Sequence, residues 1–153
     1  MGTKTTLYAQ DFYAWLQETA GLLRAGKWQD IDAHTLAEEL DAVRSQERRE
    51  AVRRLKRLMQ HLLKWQYQPA RRRTGHSWHA TIRTQRDALA GLIEESPSMV
   101  PELEALLVRG YPRARQWASD DTHLPLSTFP VACPWSLEHV LDDDFWPEEG
   151  HGT

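Results

Sequence analysis

The sequence predicts an all-α protein: a compact bundle of about four main helices, one of them long and central, with a proline-rich C-terminal strap and a short terminal helix. Apolar residues recur at helical spacing in four stretches. No Gly or Pro lies between Gly26 and Pro69, and no stretch shows the alternation typical of strands. With 153 residues, 41% of them hydrophobic, the chain suffices for one domain, predicted over 1–153 with a core over about 7–147.

The first predicted helix spans about residues 8–25. Its aromatic and leucine residues recur three or four positions apart, from Tyr8 through Trp15 to Leu23, so that one face is apolar. Gly26 is its predicted stop, because glycine readily adopts the left-handed conformation that ends many helices.

The second predicted helix is the long one. Asp32 is a good N-cap, since its carboxylate can accept the free backbone N–H groups of the next turn. From there the helix can run about 33 residues, or about 50 Å, before Pro69. Its apolar side chains are predicted to form one buried stripe: Leu36, Leu40, Val43, Ala51, Leu55, Leu58, Leu62 and Trp65.

A loop over residues 69–75 separates the long helix from the third, because proline restricts its predecessor and glycine favours turns. Ser77 is the predicted N-cap of this third helix. The helix places these residues toward the core: Trp78, Ile82, Gln85, Leu89, Leu92 and Ile93.

For the fourth helix, Ser98 is the predicted N-cap, and Pro101 falls in the first turn, where a missing N–H costs little. Gly110 and Pro112 predict a kink or a split near Tyr111, since proline removes one helical hydrogen bond. The predicted core residues of this helix are Leu103, Leu106, Leu107 and Trp117.

Beyond the fourth helix, residues 123–134 contain several prolines and are expected to pack as an extended strap. Ser136 is a suitable N-cap for a last short helix, predicted over residues 137–143. The chain would then end on an aromatic and acidic segment.

Charge is strongly segregated along this chain. The segment 44–86 holds 13 basic residues against two acidic ones, a formal charge of +11, whereas the rest has six basic and 20 acidic residues. The net charge of −3 therefore conceals two opposed parts. Such segregation predicts a partner for the basic stretch: an acidic protein, a second subunit, nucleic acid or the chain's own acidic ends.

The cations of the long helix fall on the face opposite its leucines, and three more follow in the loop. This candidate binding surface comprises Arg49, Arg53, Lys56, Arg57, Lys64, Arg71, Arg72 and Arg73. The alternatives for it are a solvated face partly paired by Glu50 and Arg54 at i, i+4, phosphate recognition, or coverage by the acidic C-terminus of this or a second copy. The acids of that C-terminus are Asp142, Asp143, Asp144, Glu148 and Glu149.

Glu47 lies near the middle of the predicted apolar stripe, where an unpaired carboxylate would be costly to bury. Arg83 or Arg86 on the third helix could meet it, and Gln85 could join them. The sequence thus predicts a buried polar layer that sets the helix register. An enzyme of unknown class stays open as an alternative if Glu47 and His61 share a cleft.

No metal site is predicted. His76 and His79 have i, i+3 spacing, but no second ligand pair follows. Acids at Glu38, Glu39 and Asp41 suit the start of a helix. No phosphate loop, nucleophile elbow or zinc-protease motif is present, and no cofactor is expected.

The single cysteine, Cys133, cannot form an intramolecular disulfide and is interpreted as a small buried residue. No stretch approaches the roughly 20 apolar residues that span a bilayer, and the first residues do not resemble a signal peptide. A cytoplasmic protein without a membrane partner is expected.

The chain resembles the uncharacterised bacterial family catalogued as domain of unknown function 29. Several separated motifs occur in the family's order, and they cover almost the whole chain, about Leu7 to Pro147. The resemblance implies a bacterial, compact, all-helical protein, and it implies no activity, since the family has no established catalytic residues. Pro112 departs from the family pattern. The residues that carry the resemblance are Asp11-Phe12-Tyr13-Ala14-Trp15, Leu36-Ala37-Glu38-Glu39-Leu40, the segment 61–69, the segment 124–134, and Asp144-Phe145-Trp146-Pro147.

Residues and resemblance together favour a non-enzymatic module for protein interaction or oligomerisation, whose basic surface meets acidic protein or a second copy. Sequence-independent nucleic-acid binding through the basic surface from Arg49 to Arg73 is the alternative.

Overall fold

The computed structural model describes residues 3–71 and 76–148, which form α-helices and short turns without any strand. The all-α prediction and its about four long helices are confirmed. The helices are α1 (Thr3–Gln10), α2 (Phe12–Arg24), α3 (Ala33–Tyr67), α4 (His76–Glu95), α5 (Val100–Thr122) and α6 (Leu137–Leu141).

The predicted first helix is two helices, because the helical conformation is interrupted at Asp11. The backbone of Asp11 is not helical (φ −148°, ψ 84°), and its carboxylate accepts the backbone N–H of Ala14, which caps α2. The stop at Gly26 is confirmed: its φ is +69°, and the N–H of Lys27 donates to the carbonyl of Leu22.

The long helix α3 has the predicted start. The Asp32 carboxylate accepts the backbone N–H of Thr35 at 3.1 Å and its hydroxyl at 2.7 Å. The helix then continues for 35 residues. Because all six residues from Leu58 to Leu63 are buried, helices and strap surround this part of α3.

The apolar stripe predicted along all of α3 is wrong in its N-terminal half. Leu40 is 63% exposed and Val43 is 55% exposed, whereas Leu55, Leu58 and Leu62 are at most 1% exposed. Helical spacing shows which side chains share a face, but a face becomes core only where another element covers it.

The chain divides into two compact units, Met1–Gln46 and Glu47–Thr153. The prediction of a single domain over the whole chain stays a prediction. In the described part of the second unit, α3, α4, α5 and α6 supply the buried core together with the strap. This core includes Ala51, Leu55, Leu58, Met59, Leu62 and Leu63 of α3, Ile82 and Leu89 of α4, Leu103, Leu107, Tyr111 and Ala114 of α5, and Phe129 and Val140.

Two predicted helix starts are wrong. Ser77 lies inside α4, which already includes His76, and Ser98 lies in a short 3₁₀ turn before α5. Pro101 does fall in the first turn of α5. Of the loop predicted over 69–75, Pro69–Arg71 forms a 3₁₀ turn, and residues 72–75 lie outside the described residues.

Helix α5 runs from Val100 to Thr122 without the predicted split. Pro112 is exposed and cannot donate to the carbonyl of Val108, four residues earlier. Val108 is also exposed, at 67%, so Pro112 lies on the solvent-facing side of α5. Gly110 faces the core, and a Cβ at this position would lie 3.2 Å from Cγ of Lys56.

The C-terminal strap packs on α5, and it is not extended throughout, since Leu126–Thr128 forms a 3₁₀ turn. The Tyr111 hydroxyl donates to the carbonyl of Pro130 at 2.6 Å, and Nε of Arg115 donates to the carbonyl of Phe129 at 3.1 Å. The Phe129 ring is 1% exposed. Ser136 caps α6 by accepting the N–H of His139, and α6 ends at Leu141, two residues before the predicted end.

Candidate binding site

Three arginines of α3 line a groove beside α4. Arg53, Arg54 and Arg57 lie within one turn of α3, and Gln85 of α4 and Glu50 of α3 complete the lining. The groove has a volume of about 270 Å³. With three guanidinium groups and one carboxylate, its lining carries a net positive charge, which attracts anionic groups.

Arg54 forms the fixed part of this groove. Its Nε and Nη2 both donate to Oε1 of Glu50, at 3.1 and 3.0 Å, and its Nη1 donates to Oε1 of Gln85 at 3.3 Å. The predicted i, i+4 pair of Glu50 and Arg54 is therefore confirmed. These bonds hold the guanidinium plane in place before any ligand arrives, which reduces the entropy cost of binding.

Arg53 and Arg57 form the open part of the groove. Both side chains are exposed, and neither makes an ion pair within the part of the chain that the structure describes. They stand four residues apart, or about 6 Å along the helix axis. Two neighbouring guanidinium groups can each donate a pair of hydrogen bonds to a carboxylate or phosphate.

Two lysines of the predicted binding surface do not belong to the outward face. The Lys64 side chain is 12% exposed and pairs with Asp121 of α5 at 3.2 Å, and its Nζ lies 5.1 Å from the centroid of the Trp78 ring. Lys56 is half-buried and packs beside Gly110. The C-terminal part of α3 is enclosed on several sides, so lysines predicted to face solvent contact α5 instead.

The other members of the predicted surface have different outcomes. Arg49 and Arg71 are exposed, and each makes a contact within the protein. Arg72 and Arg73 lie outside the described residues. The groove adds Arg54, which was predicted only as the partner of Glu50.

The predicted buried polar layer is wrong. Glu47 and Arg83 are both exposed, and Gln85 is half-buried against Arg54. Arg86 is 1% exposed, but its partners are backbone carbonyls. Glu47 and His61 cannot share a cleft either, because 14 residues of α3 separate them by about 21 Å.

Arg86 holds the C-terminal segment. Its Nε donates to the carbonyl of Val140 at 2.8 Å, and its Nη2 donates to the carbonyl of Phe145 at 2.7 Å. The guanidinium carbon lies 5.3 Å from the centroid of the Trp146 ring. Burial lowers the pKa of Arg86, and two of the C-terminal acids, Asp143 and Asp142, oppose this shift. Glu149 lies outside the described residues.

Trp146 extends this contact into an aromatic cluster that no sequence pattern predicted. The ring stacks on His79 at 4.5 Å with an interplanar angle of 4°, and it lies 4.7 Å from the ring of Trp65. His79 thus packs against an aromatic ring in this structure. Among the described residues no three His, Cys, Asp or Glu side chains group as metal ligands.

Cys133 is half-buried, and burial raises the pKa of its thiol, although the carbonyl of Trp135 accepts its S–H and opposes the shift. A raised thiol pKa disfavours the reactive thiolate at neutral pH. Burial therefore disfavours a role for Cys133 as an activated nucleophile.

His61 on α3 should make stability depend on pH. Burial is the largest cause and lowers its pKa. The hydrogen bond from its Nδ1–H to the carbonyl of Arg57 opposes this shift, the charges of Lys64 and Arg57 lower the pKa further, and Asp121 raises it. The unfolded chain therefore binds a proton at a higher pH than the folded chain, and stability is lost as the pH falls below 6.5 toward the folded pKa.

We expect His61→Gln to flatten this dependence, because the amide keeps a hydrogen-bond donor but does not titrate. Urea unfolding between about pH 5 and pH 8 measures the effect, which is at most about 1.4 kcal/mol per pH unit for one proton. His34→Gln is the control, since the His34 side chain is 85% exposed. An equal slope for His61→Gln and the wild type would contradict the prediction.

None of the helices over residues 3–71 and 76–148 combines the length and apolar character that a membrane crossing requires.

In a comparison with protein-family models, residues 7–146 match the family described as "Domain of unknown function DUF29". No curated protein and no solved structure matches the chain.

Proposed function

We propose that this chain, which belongs to the DUF29 family, is a non-enzymatic protein-interaction module whose arginine groove binds an acidic protein segment. The observation that carries the proposal is the convergence of Arg53, Arg54 and Arg57 on one groove, with Arg54 already oriented by Glu50 and Gln85. Oriented guanidinium groups favour planar carboxylates, to which they donate two parallel hydrogen bonds.

Within the groove, the number of described cations without an ion pair favours an acidic protein segment over nucleic acid. Arg54 forms an ion pair with Glu50, and Lys64 forms one with Asp121. Nε of Arg48 lies 3.9 Å from Oε2 of Glu102. Two arginines of the groove, Arg53 and Arg57, are left to meet a ligand directly. Neutralising two phosphates would give a slope of about −2 in log affinity against log salt, far below the slope of a binder with about six to ten phosphate contacts.

Sequence-independent nucleic-acid binding is the second candidate. It is favoured by the exposed row of Arg49, Arg53 and Arg57 at intervals of four residues, which places positive charge along one line of the helix. Such a row could follow a phosphate backbone without reading bases.

Fluorescence anisotropy with a labelled oligoglutamate peptide and with labelled single- and double-stranded oligonucleotides tests both candidates. We expect the peptide to bind at low salt. Arg53→Ala/Arg57→Ala should weaken this binding about tenfold, because each exposed charge pair contributes about 0.7 kcal/mol and about 1.4 kcal/mol corresponds to a factor of ten.

Arg109→Ala/Arg113→Ala is the matched control, since it removes two exposed arginines at the same spacing from α5. Peptide binding that this control weakens as much as the groove variant would overturn the groove assignment. Tight oligonucleotide binding with a steep salt slope, and none of the peptide, would establish the second candidate instead.

A further inference from the structure

The N-terminal unit, Met1–Gln46, contains a pocket that the proposed function does not use. Its volume is about 340 Å³, at the lower end of the range for small-ligand sites, so it suits one or two side chains. Leu7, Trp15, Leu22 and Ile31 supply its apolar lining, and Glu18, Asp30 and Asp32 supply carboxylates.

This unit leaves much of its apolar surface uncovered. Trp15 and Thr19 are its buried residues within the described part of the chain. Seven of the ten large hydrophobic residues that are exposed in the described chain belong to it, including Tyr13 at 82% and Trp28 at 67%. A unit of this size rarely buries enough apolar area to be stable alone, and uncovered apolar surface commonly marks an interface.

The pocket has the chemistry to receive an arginine side chain. The three methylene groups of arginine can pack on Trp15 and Leu22, while the guanidinium reaches carboxylates. Asp32 is already engaged as the N-cap of α3, through Thr35. Glu18 and Asp30 are exposed and can meet the incoming cation.

The same chain carries the matching cations. Residues 3–46 hold seven acidic and four basic residues, whereas the exposed Arg53 and Arg57 belong to the second unit. Side chains of opposite charge, each exposed in its own unit, favour association between copies at low ionic strength.

We infer that the acidic partner of the arginine groove is the Glu18–Asp30 pocket of a second copy of this chain. The inference rests on the proposed function and names its partner. Arg53 and Arg57 of one copy enter the pocket of the other, where Glu18 and Asp30 accept their N–H groups. Two different surfaces meet, so two copies can make the contact twice about a two-fold axis, or successive copies can extend it into a chain.

Sedimentation velocity of the full chain over a concentration series at low salt tests this assembly. The wild type should self-associate, and high salt should reverse the association. Glu18→Arg/Asp30→Arg and Arg53→Glu/Arg57→Glu should each weaken it at least about tenfold, because each variant places like charges opposite one another.

An equimolar mixture of the two variants is the decisive sample. In one contact of the mixed pair, the now basic pocket of the first variant faces the now acidic groove of the second. The other contact joins the unchanged acidic pocket of the second variant to the unchanged basic groove of the first, so both contacts bring opposite charges together. We expect the mixture to associate where each variant alone does not. Glu38→Arg/Asp41→Arg is the control, since both residues are exposed in the same unit and do not line the pocket.

A wild-type chain that stays monomeric at high concentration and low salt would overturn the inference, as would self-association that both reversals leave unchanged. Failure of the proposed function is separate. A wild-type chain that binds the oligoglutamate peptide but does not self-associate would overturn only the inference. The variant with Glu18→Arg/Asp30→Arg keeps the groove, so its failure to bind the peptide would count against the proposed function.

Discussion

Replacing Arg86 with alanine is expected to lower the free energy of unfolding by about 3–5 kcal/mol. The substitution removes two charged hydrogen bonds, each contributing about 1.5–3 kcal/mol, from the guanidinium to the carbonyls of Val140 and Phe145. It also removes the contact with the Trp146 ring and leaves a cavity. Part of this loss is offset, because the alanine variant does not pay the desolvation penalty of burying a guanidinium group.

Urea unfolding followed by tryptophan fluorescence measures this change, and hydrogen exchange should show residues 137–148 losing protection first. Arg83→Ala is the matched control, since Arg83 is exposed one turn earlier on α4; its effect should stay within about 0.5 kcal/mol. Arg86→Met separates the two contributions, because methionine retains much of the packing and none of the hydrogen bonds. If Arg86→Ala cost no more than Arg83→Ala, the guanidinium would not be holding the C-terminal segment.

Leu58→Ala should lower the free energy of unfolding by about 2–5 kcal/mol, whereas Leu40→Ala should change it by less than about 0.5 kcal/mol. Both leucines lie on α3 and both were predicted to belong to one buried stripe. Leu58 is fully buried, whereas Leu40 is 63% exposed. Alanine therefore leaves a cavity at position 58 and none at position 40.

Circular dichroism during urea unfolding provides the measurement for this leucine pair. Both substitutions favour helix equally by propensity, so a difference between them reports tertiary packing. Equal losses at the two positions would mean that the N-terminal half of α3 is covered as fully as its C-terminal half, contrary to the exposure of Leu40.

Of the candidate site, Arg53 and Arg57 were predictable as exposed cations because the helical repeat places them opposite the leucines of α3. The helical repeat places Lys64 on the same face of α3, but Lys64 contacts Asp121, 57 residues later in the chain. Gln85 was predicted to lie in a buried layer and instead orients Arg54, 31 residues earlier. Neither contact has a local signal, because the repeat of one helix carries no information on which element lies beside it.

The sequence by itself determined where several helices begin and end and which faces are apolar. Asp32 and Ser136 cap the next turn, and Gly26 ends the preceding one, through bonds and backbone preferences that span a few residues. Only the tertiary structure decided how the segregated charge is used: Arg86 is buried against carbonyls, Lys64 is paired, and Arg53 and Arg57 are left exposed. The physical reason is that burial and long-range pairing depend on the element packed against a residue, and that choice follows from assembly of the whole core.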